Sequence, residues 1–182
     1  RILVSEGIRR IRAGRCRPGI TGLLEIAGVR QAQLASRDLA FGIGPRLNAA
    51  GRLDDMALGI ECLLSPSISD ARAKAANLDD LNKERRVIEN EMKTQAQANL
   101  KLQHNLTPAG NQTGVCLYDD DWHQGVIGIV ASRIKDQLHR PVIAFAPSGD
   151  NEMKGSARSI RGLHIRDALA AIDAKNPGLI QK

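Results

Sequence analysis

Three short stretches of this 182-residue sequence combine small residues with side chains that could bind phosphate. In the first, residues 41–55, two glycines and a proline lead to a short helix start that carries Arg46, Asn48 and Arg52. Small residues let a polymer backbone approach closely, and arginine can hold a phosphate through two parallel hydrogen bonds. A tight turn between helices, with the arginines paired to Asp54-Asp55, explains the same pattern. The sequence leaves both interpretations open.

The second stretch, residues 119–133, runs from an acidic strand end, Asp119-Asp120-Asp121, through Trp122 and His123 into a glycine-bearing helix start at Gly125. Backbone N–H groups at a helix start favour an anion, so Gly125 is a candidate phosphate contact. His123 could bond a phosphate or a scissile group. Adjacent side chains on a strand point to opposite faces and seldom converge on one ion. The aspartates therefore favour a turn or a helix cap over a metal site.

The third stretch is Lys154-Gly155-Ser156-Ala157-Arg158-Ser159. On a strand, Lys154, Ser156 and Arg158 share one face. A cation, a hydroxyl and a guanidinium in register suit a phosphate, and with Ser159 they are candidate nucleic-acid contacts. A solvated strand face often shows the same alternation, and that is the alternative interpretation.

Helices are predicted wherever apolar residues recur with a period near 3.6 residues. The short predicted helices cover residues 2–13, 21–27, 53–64, 125–138 and 164–172. Residues 36–44 are predicted to be extended or looped, because Gly42 and Gly44 interrupt any regular element. The first stretch therefore lies between short helices.

A single long helix is predicted between about Ser69 and Leu102, with Ser67 and Asp70 forming a capping box at its start. At 1.5 Å per residue it would be roughly 50 Å long, enough to brace a domain or to span between two. This helix divides the chain into the predicted parts 1–66, 67–104 and 105–182.

Strands are predicted beyond a loop at Thr107-Pro108-Ala109-Gly110, at residues 115–118, 141–146 and 153–160. The helix predicted at 125–138 lies between the first two strands. This strand–helix–strand order predicts a small α/β layer, so the fold class is α/β.

The composition points to an anionic partner. Lys and Arg number 26 against 20 Asp and Glu, a formal net charge of +6. Nucleic acid is the commonest partner for such an excess, although a merely soluble basic protein has the same charge. Four aromatic residues cannot make an extended base-stacking platform. Phosphate and sugar contacts must therefore dominate.

The three cysteines, Cys16, Cys62 and Cys116, are far apart and form no Cys-x-x-Cys pair. They favour neither a zinc site nor a disulfide framework, and they fit the reducing cytosol. No apolar run approaches the ~18 residues of a membrane span, so a membrane partner is not expected. We therefore predict a cytoplasmic protein.

The three stretches, in this order and spacing, resemble the RecJ branch of the DHH phosphoesterases. The resemblance rests on residues 44–53, on Trp122-His123 with residues 125–133, and on residues 155–159 followed by 162–167. It implies the end of a DHH catalytic domain, a long connecting helix and part of a DHH-associated domain.

Members of that family degrade single-stranded DNA from its 5′ end, in recombination and repair, with Mn²⁺ or Mg²⁺. Their metal lies on aspartates and an Asp-His-His motif in the N-terminal half, and this sequence contains no Asp-His-His. The resemblance therefore implies a C-terminal fragment of a metal-dependent exodeoxyribonuclease that contributes DNA binding and no metal ligand. Repair and single-strand-binding proteins are further partners that it suggests.

The resemblance also implies roles for individual residues. Arg46 or Arg52, with Ser156 and Arg158, would hold DNA phosphates near the cut, including the 5′-terminal one, and would face one shared groove. His123 would lie near the scissile phosphate. Ala157 stands where the family usually has glycine.

Two other functions remain open at the level of sequence. One is a DHH-type phosphodiesterase for very short oligonucleotides or dinucleotides. The other is a nucleic-acid-binding module without catalysis of its own. The long helix and the arginine-bearing residues 44–52 favour the exonuclease.

Overall fold

A computed structural model describes residues 1–106, 113–149 and 152–181, so the loop predicted at 107–110 lies outside the described residues. The chain forms two compact units, Arg1–Val87 and Ile88–Lys182. None of the helices in the described ranges combines the length and apolar composition needed to cross a membrane. The domain boundaries drawn from the sequence, at residues 66 and 104, stay predictions.

The first unit is helical. Its elements are α1 (Ile2–Arg12), α2 (Pro18–Ile26), a 3-10 turn (Gln31–Gln33), α3 (Ser36–Asp38), a π-helical turn (Leu39–Ile43), α4 (Gly44–Leu53) and α5 (Ala57–Leu64). A buried core joins them, made of Leu23, Leu24, Leu34, Ile43, Ala50, Cys62, Ala75 and Leu78. Helices α2 and α5 approach closely because α2 carries Gly19, where a β-carbon would overlap the carbonyl oxygen of Cys62 on α5.

The prediction of an extended or looped segment at residues 36–44 was wrong, because the chain is helical throughout this segment. The Asp38 carboxylate accepts the backbone N–H of Ala35 at 2.7 Å and so caps the start. A π-helical turn then precedes Pro45, which has no N–H to donate to a regular helix. The glycines are therefore part of a widened helical turn.

The helix predicted at residues 53–64 begins later than expected. Leu53 ends α4, Asp54 is extended, and α5 starts only at Ala57. The Asp55 carboxylate accepts the N–H of Ala57 at 2.8 Å. Aspartate often replaces helical hydrogen bonds by local ones of this kind, which explains the break.

The long helix is confirmed as α6, Ile68–Leu106, whose 39 residues correspond to about 58 Å. The N–H of Asp70 donates to the Ser67 hydroxyl at 3.2 Å, which is one of the two hydrogen bonds of the predicted capping box. The apolar residues that recur along one face of α6 are buried or half-buried: Ala71, Ala75, Leu78, Leu81, Ile88, Met92 and Ala96. Helical periodicity was thus a sufficient signal for this element.

The second unit contains a mixed three-stranded sheet in the order β1–β2–β3. Its elements are β1 (Val115–Tyr118), α7 (Ile127–Leu138), β2 (Val142–Pro147), β3 (Met153–Arg158) and α8 (Ile165–Lys175). Strands β1 and β2 are parallel, with α7 connecting them, and β3 is antiparallel to β2. The predicted strand–helix–strand order and the α/β class are confirmed.

Candidate nucleic-acid interface

The second and third candidate stretches meet at the start of α7. A β-carbon placed on Gly128 would lie 2.7 Å from Nη2 of Arg158 and 3.0 Å from Oγ of Ser156. Strand β3 makes this possible, because Ser156 pairs with Ala144 and Arg158 with Val142 in the antiparallel register. The alternating side chains of β3 therefore present a hydroxyl and a guanidinium to the first turn of the helix.

Arg158 has an unusual environment for a half-buried arginine. Its Nη1 donates to the carbonyl oxygen of Ala157 at 3.0 Å. Within the described ranges, no carboxylate lies at ion-pair distance from Arg158. The guanidinium charge lies next to the positively polarised end of a helix. A phosphate group at this position would complement both charges.

The rest of β3 has mixed roles. Lys154, two residues before Ser156, is exposed on the same face of β3 as Ser156 and Arg158. Ala157 lies on the opposite face, so its methyl group does not enter the space around Gly128. The Ser159 hydroxyl accepts the N–H of Ile165 at 3.1 Å and so supports the start of α8.

The loop before α7 holds His123 in one tautomer. The backbone N–H of Gly125 donates to Nδ1 of His123 at 3.0 Å. A ring nitrogen that accepts a hydrogen bond carries no proton, so the neutral imidazole has its proton on Nε2. His123 can therefore donate to a phosphate oxygen through Nε2.

Trp122 fixes this loop to α6. Its indole is 3% exposed, and the indole N–H donates to Oε1 of Gln95 on α6 at 2.9 Å. Sequence patterns did not single out Trp122 as a positioning residue. The available signal was a lone tryptophan directly before a candidate histidine.

The three aspartates that follow β1 form a turn, as predicted. The carboxylate of Asp119 accepts the N–H of Asp121 at 3.1 Å, and Asp120 accepts the hydroxyl of Tyr118. Among the residues that the structure describes, no group of three or more His, Cys, Asp or Glu side chains could hold a metal ion.

The first stretch lies in the other unit, on α4. Arg46 places both Nε and Nη2 at 2.8 Å from Oδ1 of Asp79, and Nη1 donates to the carbonyl oxygen of Gly42 at 2.6 Å. The two charged side chains are only 14% and 11% exposed. Arg46 thus pairs with Asp79 on α6 rather than with Asp54 or Asp55.

Asp79 also accepts a hydrogen bond from Lys83 at 2.9 Å. Burial raises the pKa of Asp79, but the Lys83 hydrogen bond and the charges of Arg46 and Lys83 outweigh that effect. The pKa of Asp79 therefore lies below its ordinary value, and the carboxylate is ionised at neutral pH. This pair ties α4 to α6.

The other candidate residues of α4 are more accessible. Asn48 is exposed, and Arg52 is half-buried in the last turn. Their roles as DNA contacts stay predictions, as do those of Arg46, Gly125 and Lys154. The shared groove for Arg46, Arg52, Ser156 and Arg158 also stays a prediction.

Comparison with known proteins gives consistent matches. Residues 111–180 match the DHHA1 domain family. The whole chain is 55% identical to the single-stranded-DNA-specific exonuclease RecJ of Dickeya dadantii (strain 3937), of which it covers 31%. It is 52% identical to the protein of that name from Escherichia coli (strain K12), again over 31% of that protein. The chain therefore spans about a third of the length of these curated relatives.

Solved structures of RecJ are similar to this chain as well. The crystal structure of RecJ in complex with Mg²⁺ from Thermus thermophilus is similar with a TM-score of 0.77 and 32% identity, over 94% of this chain and 25% of that chain. A structure of exonuclease RecJ bound to manganese is similar with a TM-score of 0.72 and 30% identity, over 93% of this chain and 40% of that chain.

Proposed function

The chain belongs to the RecJ family of exonucleases, and from that premise we propose that it is the DNA-binding part of a single-strand-specific exonuclease. The full-length protein would degrade single-stranded DNA in the 5′-to-3′ direction during recombination and repair. This chain would hold the sugar–phosphate backbone near the cut. The cytoplasm is its proposed location, and repair and single-strand-binding proteins are its proposed further partners.

The approach of Ser156 and Arg158 to the first turn of α7 carries the proposal. The Ser156 hydroxyl, the Arg158 guanidinium and the backbone N–H groups at the start of α7 are all of kinds that bind anions, and none of them distinguishes one base from another. An exonuclease must advance along any sequence, so it needs contacts to phosphates, which are the same in every nucleotide. Mn²⁺ or Mg²⁺ is the proposed cofactor of the full-length enzyme.

We expect the isolated chain to bind single-stranded DNA and to release no nucleotide from it in Mn²⁺ or Mg²⁺. Two-metal hydrolysis needs carboxylates that clamp both ions, and the sequence has no Asp-His-His motif. The measurement is nucleotide release from end-labelled oligonucleotides, with binding followed in parallel. Nucleotide release by the pure chain would contradict this division of roles.

The full-length protein tests the proposed activity itself. It should degrade long single strands in preference to duplexes of the same sequence and to dinucleotides. Faster hydrolysis of dinucleotides than of long strands would instead support an oligonucleotide phosphodiesterase. Binding of single strands without hydrolysis in either metal would support a non-catalytic module.

A pair of substitutions separates the two hydrogen bonds of His123. His123→Gln places an amide N–H near the position of Nε2, whereas His123→Asn offers an acceptor near the position of Nδ1. If Nε2 donates to a phosphate, the Gln variant should keep its DNA affinity, and the Asn variant should lose about tenfold, the value of one hydrogen bond to a charged group.

Binding of the full-length variants to 5′-phosphorylated single strands, with EDTA present to prevent cleavage, gives the comparison. His123→Ala is the reference for loss of both bonds. The opposite order, with Asn retaining affinity and Gln losing it, would show that His123 acts by holding the Gly125 loop.

A further inference from the structure

Gly128 occupies a position where helix formation alone would favour another residue. It is the second residue of α7, Ile127–Leu138, and it does not have a positive φ angle. Glycine within a helix costs about 0.5–1 kcal/mol relative to alanine. The backbone conformation therefore does not require glycine here, and the surroundings of the missing side chain must be considered.

The neighbours of Gly128 are two side chains of β3 that can donate hydrogen bonds to a phosphate, Ser156 and Arg158. A β-carbon on Gly128 would lie 2.7 Å from Nη2 of Arg158 and 3.0 Å from Oγ of Ser156. Nonbonded heavy atoms are most stable at about 3.5–4.0 Å. An alanine would therefore push the guanidinium away by roughly 1 Å.

We propose that Gly128 is a positioning residue, which keeps the space in which Arg158 and Ser156 lie against the first turn of α7. This inference deepens the proposed function and rests on it. The atoms that a methyl group would displace are the ends of flexible side chains, so the fold can adjust at little cost. The geometry of phosphate binding cannot adjust in the same way, because a shift of about 1 Å in a positioned group is large enough to impair its function.

The test is Gly128→Ala in the full-length protein, with binding to 5′-phosphorylated single-stranded DNA measured at several salt concentrations. Affinity should fall about tenfold, and the salt dependence should weaken by about one phosphate contact. The melting temperature should stay the same or rise, because alanine is the better helix former. A purely structural role would instead lower the melting temperature and leave the salt dependence unchanged.

Gly7→Ala is the matched control. Gly7 also lies inside a helix, α1, and a β-carbon there would meet no atom within 4 Å. This variant should gain helix stability and keep the DNA affinity of the wild type.

A double-mutant cycle with Arg158→Ala identifies the partner through which Gly128 acts. Once the guanidinium is gone, Gly128→Ala should change affinity by less than about twofold, because two residues that act as one unit are not additive. Equal losses in both backgrounds would overturn the inference, and so would failure to fold in both. Rescue of folding by Arg158→Ala would support it.

The same data separate this inference from the proposed function. If the wild type does not bind single-stranded DNA, the proposed function fails. If Arg158→Ala leaves the affinity unchanged, the proposed interface at the start of α7 is wrong. If Arg158→Ala weakens binding and Gly128→Ala does not, the inference about Gly128 alone is wrong.

Discussion

Replacing Arg158 by alanine should weaken the binding of single-stranded DNA by the full-length protein about tenfold or more. A hydrogen bond to a charged group contributes about 1.5–3 kcal/mol, and the guanidinium lies beside the α7 start without a carboxylate partner among the described residues. The slope of log affinity against log salt should fall by about 0.7, the value for one phosphate contact on a single strand. The loss should be the same for all base sequences.

Arg140→Ala is the control for a change in net charge. Arg140 is exposed and follows the other end of α7, about 18 Å along the helix from its start. The Arg140→Ala variant should leave both the DNA affinity and the slope of log affinity against log salt nearly unchanged. If Arg158→Ala lowers the melting temperature and leaves affinity unaltered, Arg158 is a structural residue and the proposed interface is wrong.

Replacing Asp79 by asparagine should lower the free energy of unfolding by about 3 kcal/mol, the low end of the range found when one partner of a buried ion pair is removed. Asparagine keeps the shape of the side chain but leaves the Arg46 guanidinium, only 14% exposed, without its counter-charge. Denaturant unfolding followed by circular dichroism measures the change. Arg46→Ala should show a loss of similar size.

The dependence on pH gives the Asp79 prediction a second signature. The pKa of folded Asp79 lies below the ordinary value of about 3.9. The ionised carboxylate therefore stabilises the fold above that value, and this contribution disappears as the pH falls through the folded pKa. The stability difference between wild type and Asp79→Asn should accordingly be full at pH 7 and shrink toward pH 2.

The neighbouring Asp80→Asn is the matched control. Asp80 is 72% exposed and pairs with Lys83 on the surface. Surface ion pairs contribute about 0–1 kcal/mol, so this variant should remain close to the wild type. If the Asp79 and Asp80 variants lose equal stability, the Arg46–Asp79 pair does not fasten α4 to α6 as inferred.

Local signals in the sequence were enough to predict α6 and the three strands, because helical period and strand alternation act over a few residues. They failed at residues 39–44, where two glycines and a proline usually mark a loop. There the chain adopts a π-helical turn, which accommodates the proline and continues the helix. Such a turn has no distinctive residue pattern.

The contacts that define the candidate site depend on distant parts of the chain. Arg46 and Asp79 are 33 residues apart, and their pairing follows from how α4 packs on α6. Gly128 meets Arg158 only because β3 joins the sheet beside β2, in antiparallel register. Residue types identified the donors, but the sheet order that brings Ser156 and Arg158 to α7 could not be predicted from local spacing.

Trp122 gives the second unit an optical label of its own. It is the single tryptophan of the chain, it is buried, and its indole N–H is bonded to Gln95. Intrinsic fluorescence excited at the indole band therefore reports on the environment of residues 88–182, whereas circular dichroism sums the helices of both units. Comparing the two signals for Asp79→Asn, which lies in the first unit, would reveal whether the two units unfold in one transition or separately.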